Sequence, residues 1–188
     1  MKQFLKNRRG LSAPVGNLII LMAAVVLATT VVLFAVNITT SAVQKETLFI
    51  PDSHVWYVNS TYSVAALTAV DTGPTDVVLA RIVVEGLTCQ WNGSNNFVVY
   101  TEVNGTLPGD LPFVGNLTNT GNSTVVIADQ AFSFTPASEG LTIKSGDTVA
   151  FYIVVPNRVM VYDLATSVRI VITTTQSVYC TDTLVQAT

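Results

Sequence analysis

The side chains in this chain that could do chemistry are few and scattered. His54 is the only histidine and sits in "PDSHVWYVNS", so a Ser-His-Asp triad or a histidine-based zinc site would hang on one residue. A packing or surface histidine is expected there. No phosphate-cradling glycine loop and no Cys-X-X-Cys occurs. "DTGPTD", from Asp71 to Asp76, offers two carboxylates to a hard cation, but Gly-Pro in such a run chiefly makes a turn. The expectation is a protein that is not an enzyme and has no metal site and no cofactor.

Two further residue types carry information. Six Asn-X-Ser/Thr sequons lie at Asn37, Asn59, Asn92, Asn104, Asn116 and Asn122, and four of them fall in one stretch rich in Gly, Asn, Thr and Pro. That excess predicts glycosylation on an extracytoplasmic surface; a Thr- and Asn-rich composition that collects sequons by chance is the competing explanation. Cys89 and Cys180 are the only cysteines, each a few residues past a strand-like run. An even count in an exported domain favours a bridge, and closing a loop of about ninety residues would stabilise by about 4 kcal/mol. Two unpaired, partly buried thiols are the competing reading, because spacing alone does not show that the two meet.

The element that dominates the sequence is "NLIILMAAVVLATTVVLFAVN". From Leu18 to Val36 it is apolar but for Thr29 and Thr30, and as a helix it would span about 28 Å, close to the hydrocarbon thickness of a bilayer at about 30 Å. Lys2, Lys6, Arg8 and Arg9 precede it with no acidic residue, and Lys45 and Glu46 follow and cancel. The positive-inside rule keeps the first ten residues cytoplasmic and puts everything after Asn37 outside. Ala24 and Ala28, four apart, would let neighbouring helices approach closely, and Thr29 and Thr30 can return their hydroxyls to carbonyls one turn back.

Residues 47–188 hold four cations, Arg81, Lys144, Arg158 and Arg169, against eleven carboxylates. This acidic balance makes a poor nucleic-acid partner. The segment reads as strands. "DVVLARIVVE" alternates Val78, Ala80, Ile82 and Val84 against Val77, Leu79, Arg81, Val83 and Glu85. "AFSFTP" alternates at Phe132 and Phe134, and "TSVRIVITTT" at Val168, Ile170 and Ile172. "DTVAFYIVVP" is apolar on both faces, as a doubly covered central strand would be, and the turn "KSGD" would join it to "GLTI" as a hairpin. Weaker strand candidates are 62–70, 97–103, 123–129 and 159–162. The pattern predicts an α+β chain: a long apolar helix and stalk over 11–46, then an all-β, Ig-like sandwich over 47–188.

The amino end resembles a known family. "RRG" followed by "LSAPVGNLIILMAAVVLATTVVLFA" is similar to the class III signal peptide of archaeal type IV pilins and archaellins, over about residues 6–40. The resemblance implies that a prepilin peptidase at the cytoplasmic face cuts the leader 1–10 at Arg8, Arg9, Gly10 and Leu11, between Gly10 and Leu11. It also implies that the retained helix first anchors the subunit and is then drawn by an assembly ATPase and platform protein into the core of a homo-oligomeric filament. Leu18, Ile19, Leu21, Ala24, Val25, Ala28, Val32 and Phe34 would line that core. The glutamate usual at the fifth mature position of bacterial pilins is here Val15, which argues against the bacterial branch.

Physical chemistry gives the signal a reason. Gly10 has no side chain to obstruct a protease, Ser12 can cap the helix, and Pro14 falls in the first turn, where a missing N–H costs little. Three readings follow: a subunit of an adhesive or archaellum-like surface filament; a permanently anchored ectodomain, such as the envelope proteins that hold an archaellum motor; or a secreted soluble domain cut after Ala42 by an ordinary peptidase, for which the apolar core is long.

Overall fold

A computed structural model describes residues 12–43, 45–156, 159 and 163–188. The chain divides into two units, the second beginning at Lys45. In the first, the apolar run forms a single helix, α1 (Ser12–Val43).

The second unit is built of strands: β1 (Leu48–Phe49), β2 (Ser53–Asn59), β3 (Tyr62–Asp71), β4 (Val77–Val84), β5 (Leu87–Thr88), β6 (Phe97–Val103), β7 (Ser123–Ile127), β8 (Gln130–Pro136), β9 (Thr142–Ile143), β10 (Thr148–Val154), β11 (Ser167–Thr174) and β12 (Val178–Ala187). All twelve belong to one sheet. Its order is β5-β4-β11-β12-β2-β3-β10-β6-β8-β7, with β1 beside β3 and β9 beside β4. β12 runs parallel to β2, whereas β3 is antiparallel to both β2 and β10.

This overturns the expectation of an Ig-like sandwich, because there is one large mixed sheet in place of two separate ones. The physical reason lies in β12. Its first part pairs antiparallel with β11 as far as Leu184, and from Val185 it pairs in parallel with β2. One continuous strand thus carries the hydrogen bonding around the bend, and the sheet curls over on itself.

Two cores result, one on each side of the central strands. The first joins Leu79 and Ile82 of β4 and Ile170 and Ile172 of β11 to Leu67 of β3 and Phe151 and Ile153 of β10. The second lies on the opposite face, where Val64, Ala66, Val99 and Tyr152 meet Val125 and Ile127 of β7, Phe134 of β8, and Leu111 and Leu117 of the β6–β7 loop. Every residue of β10 is buried, as its unbroken apolar sequence demands of a strand covered on both sides.

Local sequence explains several details, and the structure corrects others. β11 and β8 keep the expected faces, with Val168, Ile170, Ile172 and Phe134 buried. β4 does not keep one face throughout: Val77 and Leu79 are buried, and then Ile82 and Val84. Arg81 opposes Thr173 while Leu79 opposes Thr174, so Ala80 is an extra residue that shifts the alternation by one. The "KSGD" turn forms, with Asp147 N–H donating to Lys144 O at 3.0 Å and Gly146 at φ 87°. It does not close the expected hairpin, since β9 pairs with β4 and β10 lies between β3 and β6. Of the 159–162 candidate, 160–162 lie outside the described residues.

Central placement of β10 is testable. Phe151→Ala removes a fully buried ring and should destabilise by about 3–5 kcal/mol, whereas Val126→Ala on the exposed face of β7 should change stability by well under 1 kcal/mol. Thermal unfolding of the full-length protein in detergent micelles should show a lowered midpoint for the first variant alone. Equal midpoints would contradict the double burial of β10.

Candidate functional site

α1 is apolar on every side. Within the 28-residue span Pro14–Ser41 an 18-residue window reaches a mean hydropathy of 2.9, and no charged side chain occurs between Gly10 and Lys45. Leu18, Ile19, Leu21, Val25, Val32 and Phe34 are exposed, as are Ala24 and Ala28. The hydroxyls that interrupt the run are satisfied within the helix: Thr30 donates to Val26 O at 2.8 Å, Thr39 to Ala35 O at 2.9 Å and Thr40 to Val36 O at 2.7 Å, and Thr29 donates to Val25 O. Such back-bonding leaves none of these four hydroxyls in need of water, so this part of the helix suits a medium without any. At 32 residues it is about 48 Å long, well beyond the hydrocarbon of a bilayer at about 30 Å. The expected cleavage residues Arg8, Arg9, Gly10 and Leu11 lie outside the described residues.

Asn59, Asn92, Asn104, Asn116 and Asn122 are all exposed on the β unit. Asn59 closes the turn between β2 and β3, where its Oδ1 accepts from Thr61 N–H at 2.9 Å and Thr61 Oγ1 at 2.8 Å. Asn37 differs, because it stands inside α1, where a loop would be expected for an acceptor.

The segment from Asn104 to Asn122 is more than a display loop. It folds back over the second core, with Leu111 and Leu117 buried, and phenols of the central sheet hold its backbone. Tyr152 donates to Pro112 O at 2.7 Å and Tyr62 to Gly115 O at 3.1 Å. Burial raises both phenols above the ordinary tyrosine range, aided at Tyr152 by the charge of Asp110, so they stay protonated donors. Asn119 Nδ2 donates to Gly93 O at 2.8 Å. His54 joins this cover: its Nε2 lies 2.7 Å from Asp110 Oδ1 and its ring stacks on Trp56 at 5.3 Å. Sequence reasoning missed this cover because Leu111 and Leu117 are isolated apolar residues in a polar run.

The "DTGPTD" turn is an Asx turn, with Gly73 N–H donating to Asp71 Oδ1 at 2.9 Å. Asp71 is buried, and Asp76 is exposed and accepts from Ser145 N–H at 3.0 Å. Among the described residues no three His, Cys, Asp or Glu side chains converge as a metal-binding group.

The cysteines are not brought together. Cys89 follows β5 and is buried, whereas Cys180 is exposed on β12. Between β5 and β12 lie β4 and β11, which puts the two cysteines about 14 Å apart at normal strand spacing. A disulfide needs Cα atoms within about 7 Å. The expected bridge between them is therefore corrected, and the reason is strand order, which linear spacing does not reveal.

No family model and no curated protein matches the chain. Among solved structures, the sporulation control protein Spo0M of Bacillus subtilis aligns with 75% of this chain and 50% of its own at 10% identity and a TM-score of 0.30. The chain thus spans about half the length of that neighbour, and similarity at this level assigns neither fold nor activity.

The separation of the cysteines predicts that denatured, unreduced protein titrates with two thiols per chain. Fewer than one would show a bridge and would require β5 or β12 to lie elsewhere.

Proposed function

We propose that this chain is the structural subunit of an extracellular helical filament of the archaeal type IV pilus kind. The observation that carries the proposal is α1, an uncharged helix, apolar around its whole circumference, that follows a basic leader ending in Gly10.

In this reading a prepilin peptidase removes residues 1–10, taking Lys2, Lys6, Arg8 and Arg9 with them. The mature helix then carries no charged side chain before Lys45 and can pass from lipid to a bundle of identical helices without dragging a charge through hydrocarbon. Small residues such as Ala24 and Ala28 allow close approach in that bundle, and dispersion contacts repeated in every subunit supply its strength. An assembly ATPase and platform protein lift the subunit from the membrane. The β unit is displayed on the cell surface, with the exposed sequons Asn59, Asn92, Asn104, Asn116 and Asn122 as glycosylation sites. Assembly needs no cofactor and no catalytic residue of this chain.

The test is a charge in the helix. Val26→Asp puts a lone carboxylate at mid-helix, at a cost of several kcal/mol in lipid or in a dry bundle that recurs in every subunit. Electron microscopy of cells producing this variant should show no filaments, against normal filaments for Glu139→Gln on the exposed surface of the β unit. Filaments of normal length and number from Val26→Asp cells would remove α1 from the polymer core and leave a permanently anchored ectodomain.

A further inference from the structure

The start of the β unit holds a group of oxygen atoms that its surroundings leave unpaired. Among the described residues, three buried side-chain polar atoms have no hydrogen-bond partner: Glu46 Oε2, Asp71 Oδ2 and Thr75 Oγ1. All three belong to one small region, where the chain enters β1 and where β3 runs into the β3–β4 loop. Glu46 and Asp71 are each only 1% exposed. A buried ionised carboxylate oxygen with no donor is costly, and such atoms in a folded protein call for an unseen water, ion or proton.

The backbone there is drawn tight. Leu48 pairs with Asp71, and Thr47 O accepts from the N–H groups of both Thr72 and Gly73, at 2.9 and 3.1 Å. A Cβ on Gly73 would come within 2.7 Å of Thr47 N, 3.2 Å of Asp71 Oδ1 and 3.3 Å of Glu46 C, so only glycine lets the backbone at Glu46 and Thr47 lie this close to the β3–β4 loop. Glu46 is itself fixed: its Oε1 accepts from Thr174 Oγ1 at the end of β11, and its carbonyl accepts from Tyr179 OH at 3.3 Å. Burial raises the Asp71 carboxyl above the ordinary aspartate range against the pull of the Gly73 N–H, and the charges of Asp76 and Glu46 raise it further. The two charges that raise it, Asp76 and Glu46, are both negative.

We propose that Glu46, Asp71 and Thr75 form a calcium site that clasps the start of the β unit to the β3–β4 loop. The donors are all oxygens, two charged and one neutral, with no sulfur or nitrogen, which selects a hard cation. Calcium takes irregular sets of six to eight oxygens and completes them with carbonyls and water, whereas magnesium demands a near-ideal octahedron. The bound ion would supply the positive charge that the two carboxylates lack. This site stands apart from filament assembly and requires none of it.

The full-length protein in detergent micelles, stripped with EDTA, provides the test by thermal unfolding and calorimetric titration with calcium chloride or magnesium chloride. Calcium should raise the unfolding midpoint, since a ligand that binds only the folded state stabilises it, and magnesium at the same concentration should raise it far less. Asp71→Asn and Glu46→Gln keep the shape and remove a charge. Each should weaken calcium binding by tenfold or more while unfolding in EDTA no earlier than the parent protein, and Glu139→Gln should respond as the parent does. An unfolding midpoint for the parent protein that is the same in calcium and EDTA would overturn the site. So would a calcium response that Asp71→Asn retains in full, or one absent from a parent protein that acid stabilises in EDTA, which would show the two carboxylates sharing a proton.

Discussion

The β unit depends on one ladder, β3 against β10, which runs over seven residue pairs from Thr148 opposite Val70 to Val154 opposite Val64 and is buried on both faces except at the half-buried Val70. A two-sided apolar ladder cannot face water on either side, so the rest of the sheet is arranged to cover it. On one face the sheet curls until β4 and β11 pack beneath. On the other, the β7–β8 hairpin and the Asn104–Asn122 segment form a lid that is partly irregular chain. The curl needs a strand that belongs to both halves, which is the part β12 plays, and the lid needs fixed points, which Tyr62, Tyr152 and Asn119 provide.

The sequence discloses those features that are written in local periodicity. β10 is recognisable because its apolar run does not alternate, and β8 and β11 because theirs do. β4 reads as a strand with a wrong face, since one bulged residue inverts the pattern halfway along and leaves no mark in composition. β12 escapes altogether. Its apolar Val178 and Leu184 are exposed while Val185 is buried, Thr181, Asp182, Thr183 and Gln186 are polar, and its role comes from the partners it exchanges, which are distant in the chain. The overall architecture is lost with it, because a single curled sheet and a pair of packed sheets have the same strands and differ in the one that turns the corner. Glu46 is misread for a related reason: next to Lys45 its charge looks cancelled, yet the fold buries it beside Asp71.

The helix imposes a different constraint, one that its own unit cannot satisfy. Exposed Leu, Ile, Val and Phe side chains around α1 far exceed the apolar surface a soluble chain ordinarily leaves in water. Lipid can cover them, and so can copies of the same helix. With its four threonine hydroxyls bonded internally and no charged side chain from Leu11 to Gln44, α1 is suited to both in succession, and in the proposed reading the basic residues 1–10 are what would resist the transfer. On this account the functional element is the helix, and the β unit is what a filament built from it presents to its surroundings.

The most direct test is the amino-terminal sequence of the protein isolated from the cells that make it. The filament account predicts Leu11 as the first residue, with the helix retained. Met1 would mean that the leader stays and the chain is a permanent anchor, and Val43 would mean that the helix is discarded; either result would contradict the account.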